Sequence, residues 1–336
     1  MLIGFMRNLL QPTKMARLTT MLCKYYGMDL IYIRPRDIDM NTNKVQGKML
    51  VNDEWLTVQT DLPEFIDISP YCFKHKEIMN YLRGKVILSD TGLNLLGKEK
   101  LQQVLKEDRN FSKYVIPTKS ADNIENIYEL LKKFSTVVMK PIGGEKGKGV
   151  YILRKDEKTF TLGHKKEERK LNEKEFEKFY NDNIKNSRYI VQKYIKSRTK
   201  NGDPFDCRLH VEKNGEGKWV LAKKYIRIGI GQKVISNVNQ GGGIADTKAF
   251  LMANFGDDWA RINKKLNQLA VTLPYKIEKM RNTSMMTLGL DVGIDLDGEL
   301  YIFESNGAPL TTSIRAEVAM LRTKYYKFVL TQQNKL

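Results

Sequence analysis

Residues 288–309, LGLDVGIDLDGELYIFESNGAP, constrain this chain most: two short apolar runs flank an Asp-Gly turn, the pattern of a tight antiparallel hairpin. On its second run, strict alternation puts Ile302, Glu304 and Asn306 on one side and Tyr301, Phe303 and Ser305 on the other. The turn at Asp297-Gly298 folds Asp291 back toward Glu304, so three side chains with hard oxygen donors converge. A buried carboxylate without a partner costs several kcal/mol. Inside an apolar hairpin these acids therefore hold a metal ion or pair with Lys or Arg; on a half-exposed hairpin they face water. Oxygen-only ligands suit Mg²⁺, Mn²⁺ or Ca²⁺. An EF-hand is excluded, because Gly293 stands where the first ligand is needed and the flanks alternate like strands.

A chain of 336 residues that is 41% hydrophobic can bury a real core, and its length suggests two or three lobes. The opening MLIGFMRNLL lacks a small-residue cleavage site, and no run of about 18 apolar residues occurs. A cytoplasmic protein without membrane contact is expected. Cys23, Cys72 and Cys207 are odd in number and lack a C-x-x-C spacing, and His75, His164 and His210 are scattered. Neither a disulfide framework, nor a zinc site, nor a His-based triad is indicated. Of the net charge of +18, half lies in residues 140–200, with 18 Lys/Arg against 9 Asp/Glu. Such a field attracts nucleotides, acidic peptides or nucleic acid, and it equally describes a solvated basic surface. No nucleic-acid motif accompanies it, so acidic substrates are expected and nucleic acid is not. Oligomeric state is open.

Along the chain, a small α/β unit fills residues 1–92 and breaks at Gly92. Helical spacing follows over 98–106 and 124–134. Residues 136–141 read as a strand, 143–149 as a loop with four glycines and two lysines, and 150–153 as a second strand. Glycines admit an anion close to the backbone, and Lys146 and Lys148 add charge; a hairpin tip with solvated lysines has the same composition. The Walker spacing fails, since Lys148 precedes Gly149 and a strand follows. A strand over 188–195 and a hairpin over 206–229 come next. The hairpin carries Arg208, His210, Lys223 and Arg227 at steps that aim cations to one face, as a salt-bridged surface also would. Helices are expected over 257–281 and 314–330.

Taken in order, these pieces resemble the ATP-grasp superfamily over nearly the whole chain. The resemblance rests on Lys100-Leu101, Val138-Met139-Lys140-Pro141 before the glycine loop, Gln192-Lys193-Tyr194-Ile195, Asp206-Cys207-Arg208, Ser236-Asn237, and Asp291 with Glu304-x-Asn306. The spacing is similar to that of ribosomal-protein glutamate ligases and glutathione synthetases. Arg34-Pro35-Arg36-Asp37-Ile38-Asp39, Gly47 and Trp55 look closer still to the YheC/YheD-type proteins of endospore coats.

The resemblance implies an α+β ATP-grasp fold with a pre-ATP-grasp α/β domain (1–92), a central lobe (93–190) and a C-terminal lobe (191–336) clamping ATP. It implies Lys100 and Lys140 on the phosphates, under a loop comprising Gly143, Gly144, Lys146, Gly147, Lys148 and Gly149. Gln192, Lys193 and Ile195 would read adenine, with Phe303 and Met139 lining its pocket. Asp291, Glu304 and Asn306 match Mg²⁺ ligands, Glu304 bridging two ions, and Mn²⁺ satisfies the same donors. Arg227 and Asn237 match positions that hold the transferred phosphoryl group and developing oxyanion. Arg208, His210, Lys223 and Arg315 are candidates for gripping an acidic substrate. The implied activity is carboxylate–amine ligation through an acylphosphate, on a peptide, amino acid or acidic polymer. The alternative is a spore-coat or assembly protein that binds nucleotide without turnover, and spore association follows from the same likeness. Departures fall at Gly307-Ala308-Pro309-Leu310, where relatives carry Pro-Gly, and at the ribose contact, for which Asp203 or Asp206 stands nearest.

Overall fold

The structure, a computed structural model, describes residues 1–95, 97–142, 149–164, 167–230 and 242–333. Three sheets organise them. The first holds β1 (Leu2–Met6), β2 (Asp29–Ile33), β3 (Ile38–Asp39), β4 (Lys44–Val51), β5 (Glu54–Asp61), β6 (Phe65–Ile68) and β7 (Ile87–Leu88). Its centre, β2-β1-β6-β7, is parallel, and β4 and β5 form an antiparallel hairpin at its edge. Strands covered on both faces read as near-continuous apolar runs, which explains LIGFM and FIDI. Helix α1 (Lys14–Tyr25) covers one face and α2 (Lys76–Arg83) the other.

After α3 (Lys98–Lys106) comes an antiparallel sheet of β8 (Thr118–Ser120), β9 (Thr136–Pro141), β10 (Tyr151–Asp156), β11 (Thr159–His164), β12 (Glu167–Leu171) and β13 (Tyr189–Lys193). It packs on α4 (Ile124–Phe134) and α5 (Glu173–Asn183). The glycine-rich segment joins β9 to β10, which pair directly. The expected lobe boundary at 190 falls inside β13, and α3 packs on the third sheet through Leu101 and Leu105.

That third sheet, in the order β16-β15-β14-β17-β18, comprises β14 (Phe205–Lys213), β15 (Trp219–Ile228), β16 (Gly243–Ala245), β17 (Thr287–Ile294) and β18 (Leu300–Asn306). Helices α6 (Thr247–Phe255) and α7 (Trp259–Arg281) cover its apolar face with Leu251, Ile262, Leu266, Leu269 and Leu273. The last helix, α8 (Arg315–Gln333), packs against α1 and reaches β14, so it ties the first sheet to the third. Among the described residues, no helix is long and apolar enough to cross a membrane.

Candidate functional site

The β17–β18 hairpin forms as its sequence requires, with the Gly298 N–H on the Asp295 carbonyl and Gly298 at φ 72°. On β17 the even positions Leu288, Leu290, Val292 and Ile294 enter the apolar core, which turns Asp291 to the opposite face. Register pairs Asp291 with Glu304 and Gly289 with Asn306. Regular alternation would also turn Ile302 to that face, and here the structure differs. Between Asp291–Glu304 and Val292–Ile302 the register shifts, leaving Phe303 as the extra residue of a bulge. Ile302 thus packs in the core while Glu304 and Asn306 face Asp291. Bulges re-aim side chains in this way. A Cβ on Gly293 would lie 2.2 Å from the Phe303 ring, so only glycine admits the bulged residue.

Gln102 secures this bulge. Its amide nitrogen donates to the Ile302 carbonyl at 2.7 Å, and its oxygen accepts the Ile116 N–H at 3.2 Å. Sequence reasoning passed it over, because a glutamine on an amphipathic helix reads as solvated; only its burial at 5% exposure reveals the role.

The Asn306 amide donates to Glu304 Oε1 at 2.9 Å and lies 3.4 Å from Asp291 Oδ2. Asp291 also meets two guanidiniums. Arg208 grips it through Nε and through Nη2, the latter at 3.0 Å, and Arg227 Nη2 approaches at 2.9 Å. Arg227 is divided, however, because its Nε and Nη2 also donate to Asp206 at 2.7 and 2.8 Å. Burial pushes the Asp291 carboxyl up to about 6, against the pull of Arg227 and Arg208, and Asp206 pushes the same way. It is ionised at neutral pH yet closer to protonation than an ordinary aspartate.

Two carboxylates and an amide on neighbouring strands form a hard-oxygen donor set suited to Mg²⁺. Half a turn of the Asn306 amide presents its oxygen. No group of three or more His, Cys, Asp or Glu side chains arranged for a metal occurs among the described residues, consistent with a set whose third member is an amide. The residues present fit the ion, with Arg208 and Arg227 now on the Asp291 oxygens.

Other expected residues separate into groups. Lys140 lies on β9 opposite Ile190, on the face away from Val137 and Met139, both of which are buried in the helix-covered core. Gln192 is buried and donates to Thr118 Oγ1 at 2.7 Å. The Lys193 N–H donates to the Pro117 carbonyl at 3.0 Å, but proline has no N–H to return, so the Lys193 carbonyl lacks a ladder donor. The Ile195 carbonyl is taken by the Ser197 N–H. Lys193 Nζ lies 5.4 Å from the Tyr301 ring, bringing this segment beside β18 and Phe303. Lys100 and Lys223 are exposed. Gly143, Gly144, Lys146, Gly147, Lys148 and Asn237 lie outside the described residues; Gly149, at φ 69°, sits beside the Tyr189 hydroxyl.

His210 belongs to a second polar cluster. Its Nε2 meets Glu212 Oε1 at 2.7 Å, and Glu212 also accepts from Thr287 Oγ1 and from Arg322 at 3.1 and 3.0 Å. Arg322 reaches Asp67 at 3.4 Å, where Arg7 at 3.0 Å and the Tyr326 hydroxyl also converge. Burial raises both carboxyls, but Arg7 and Arg322 at Asp67, and Arg322 and His210 at Glu212, outweigh it and hold both below the usual range. The sequence signal for Asp67 was an acid inside the apolar strand FIDI.

Known proteins provide a family model, two sequence relatives and two solved structures for comparison. The family model described as YheC/D like ATP-grasp matches residues 91–331. Endospore coat-associated protein YheC of Bacillus subtilis (strain 168) is 24% identical over 312 residues, covering 86% of this chain and 83% of that protein. YheD from the same organism is 25% identical over 224 residues, 63% of this chain and 48% of that protein. Among solved structures, N5-carboxyaminoimidazole synthetase from Staphylococcus aureus complexed with ADP superposes with a TM-score of 0.51 at 15% identity, over 96% of this chain and 77% of that one. ATP-grasp ligase PsnB complexed with minimal precursor, Mg and ADP gives 0.52 at 11% identity, over 99% and 98%. These similarities establish the ATP-grasp fold.

Proposed function

Because the chain belongs to the YheC/D-like ATP-grasp family, we propose that it is a Mg²⁺-ATP-dependent carboxylate–amine ligase acting on a peptide, amino acid or acidic polymer. The observation that carries this reading is the meeting of Asp291, Glu304 and Asn306 on one face of neighbouring strands, against the buried guanidinium of Arg208 and the partly buried one of Arg227. A substrate carboxylate oxygen attacks the γ-phosphorus and ADP leaves; an amine then attacks the acyl carbon of the acylphosphate, losing a proton as inorganic phosphate departs.

Asp291, Glu304 and Asn306 would hold one or two Mg²⁺ ions, which supply neutralisation of phosphate charge when bound. The residues of the chain do the rest. Arg227 stays gripped by Asp206 when Asp291 turns to another cation, so its guanidinium is already oriented for phosphoryl or carboxylate oxygens. Arg208, whose carboxylate partner is Asp291, is released by the same exchange. The Lys193 carbonyl is an acceptor for the adenine amine, beside Gln192 and Phe303. Lys100, Lys140 and the 143–149 loop take the phosphates, and Asn237 the developing oxyanion.

The test uses Asp291→Asn and Glu304→Gln. Both are expected to retain a folded circular-dichroism spectrum and lose Mg²⁺-dependent ADP release across a panel of acidic acceptors; unaltered turnover in both rejects the assignment. One observation favours a second reading, nucleotide binding without turnover in an assembly role: both Asp291 oxygens are already held by guanidiniums. Binding of a fluorescent ADP analogue with no ADP release for any acceptor would select it.

A further inference from the structure

A cavity of about 500 Å³ lies between the carboxyl ends of β1 and β6 and the loop that follows β18. Ligands of parallel α/β sheets gather outside the carboxyl ends of the strands. Four cationic side chains line this cavity, Arg7, Lys14, Arg315 and Arg322, against the single carboxylate of Asp67. Arg7 and Arg322 are committed to Asp67 beneath it. Lys14 and Arg315 form no ion pair among the described residues, and each is the first residue of a helix, α1 or α8. Thr13 accepts the Ala16 and Arg17 N–H groups through its hydroxyl and carbonyl, which leaves the Lys14 and Met15 N–H groups without helical partners. Two positive helix ends therefore add to two cations that no carboxylate neutralises.

The cavity continues into the site described above. Gly307, Ala308 and Pro309 form its wall and directly follow Asn306. Pro309 presses on β17 where a Cβ at Gly289 would stand 2.8 Å from it. Thr287, also in the wall, shares a face with Asp291 four residues along, roughly 13 Å at a strand's rise. That span exceeds one amino acid and matches about four extended residues. Leu9, Leu10, Tyr71 and Leu310, at or next to the cavity, are each more than half exposed.

We propose that this cavity anchors a peptide substrate: a peptide carboxylate binds Lys14, Arg315 and the first turn of α1, and the peptide's apolar side chains lie on Leu9, Leu10, Tyr71 and Leu310. Its role as an acceptor site rests on the ligase reading; the binding itself does not. The carboxylate is supplied by a side chain or by the C-terminus.

The test is fluorescence anisotropy on the full chain without nucleotide, using three rhodamine-labelled, leucine-containing pentapeptides. One has a single glutamate and an amidated end, one a free C-terminus and no acidic side chain, and one a glutamine and an amidated end. An acidic peptide is expected to bind at least about tenfold more tightly than the neutral one, the scale of a charge-assisted contact. Which of the two acidic peptides wins identifies the source. The Lys14→Gln/Arg315→Gln variant, which breaks no ion pair, is expected to lose that preference while binding a fluorescent ADP analogue normally. Equal binding of all three peptides, or a preference that survives in the variant, overturns the proposal. Peptide binding with no ADP release for any acceptor would instead sink the ligase reading and leave the anchoring site standing.

Discussion

Two pairs of buried carboxylates are held by arginines, Asp67 of β6 with Glu212 of β14 and Asp206 of β14 with Asp291 of β17, yet the carboxyls of Asp67 and Glu212 are held below their ordinary range and that of Asp291 above it. Asp67 and Glu212 share Arg322, and each adds donors of its own: Arg7 and the Tyr326 hydroxyl for one, His210 and Thr287 for the other. Asp291 shares Arg227 with Asp206, and the neighbouring aspartate pushes its carboxyl in the direction burial already does. Burial and arginines are common to both; the crowding of like charge differs. The first network, in which each carboxylate has several donors, holds α8 between two sheets, whereas in the second two aspartates compete for one shared arginine.

The comparison breaks most directly at Arg322. Arg322→Met leaves Asp67 and Glu212 without their shared cation and is expected to cost about 3–5 kcal/mol in chemical denaturation. A loss below that of the surface change Lys223→Met would show that the network is not structural. Gln102→Leu orphans the Ile302 carbonyl and the Ile116 N–H, for a loss of about 1–3 kcal/mol. Because the bulge aims Glu304, turnover should fall in this variant even where nucleotide still binds, and the same assays report both.

A finer contrast sets Asp67→Asn against Asp291→Asn. The first removes a carboxylate whose arginines outweigh its burial and should lower the unfolding midpoint; the second removes one whose burial outweighs its arginines and should lower it less. Equal losses would erase the distinction.

The smallest effect is a difference in pH profile. Asp67 and Glu212 are depressed, so their stabilisation is present above the unfolded values of about 4 and disappears as pH falls through the lower folded ones. Asp291 is raised, so its contribution is present below about 4 and disappears as pH rises through about 6. Urea midpoints measured without metal from pH 4 to 7 should therefore contain a decline that Asp291→Asn lacks, while Asp67→Asn flattens the acid limb below about 4.

Much of this was legible in the chain. Period-two alternation around Asp297-Gly298 determined a hairpin and placed Asp291 against Glu304, because local backbone geometry dictates which side chains share a face. The strands on either side of the glycine-rich segment, β9 and β10, and the polar face of β14 and β15 follow from equally local patterns. Tertiary structure alone decided the bulge at Phe303, which sends Ile302 into the core and keeps Glu304 and Asn306 in the site. It also decided that Gln102 would secure that bulge, that a proline would free the Lys193 carbonyl, and that α8 would return to the first sheet and close a cationic cavity. Each of these depends on residues dozens to hundreds of positions apart. Propensity and periodicity act over a few residues, and only packing fixes which distant groups meet.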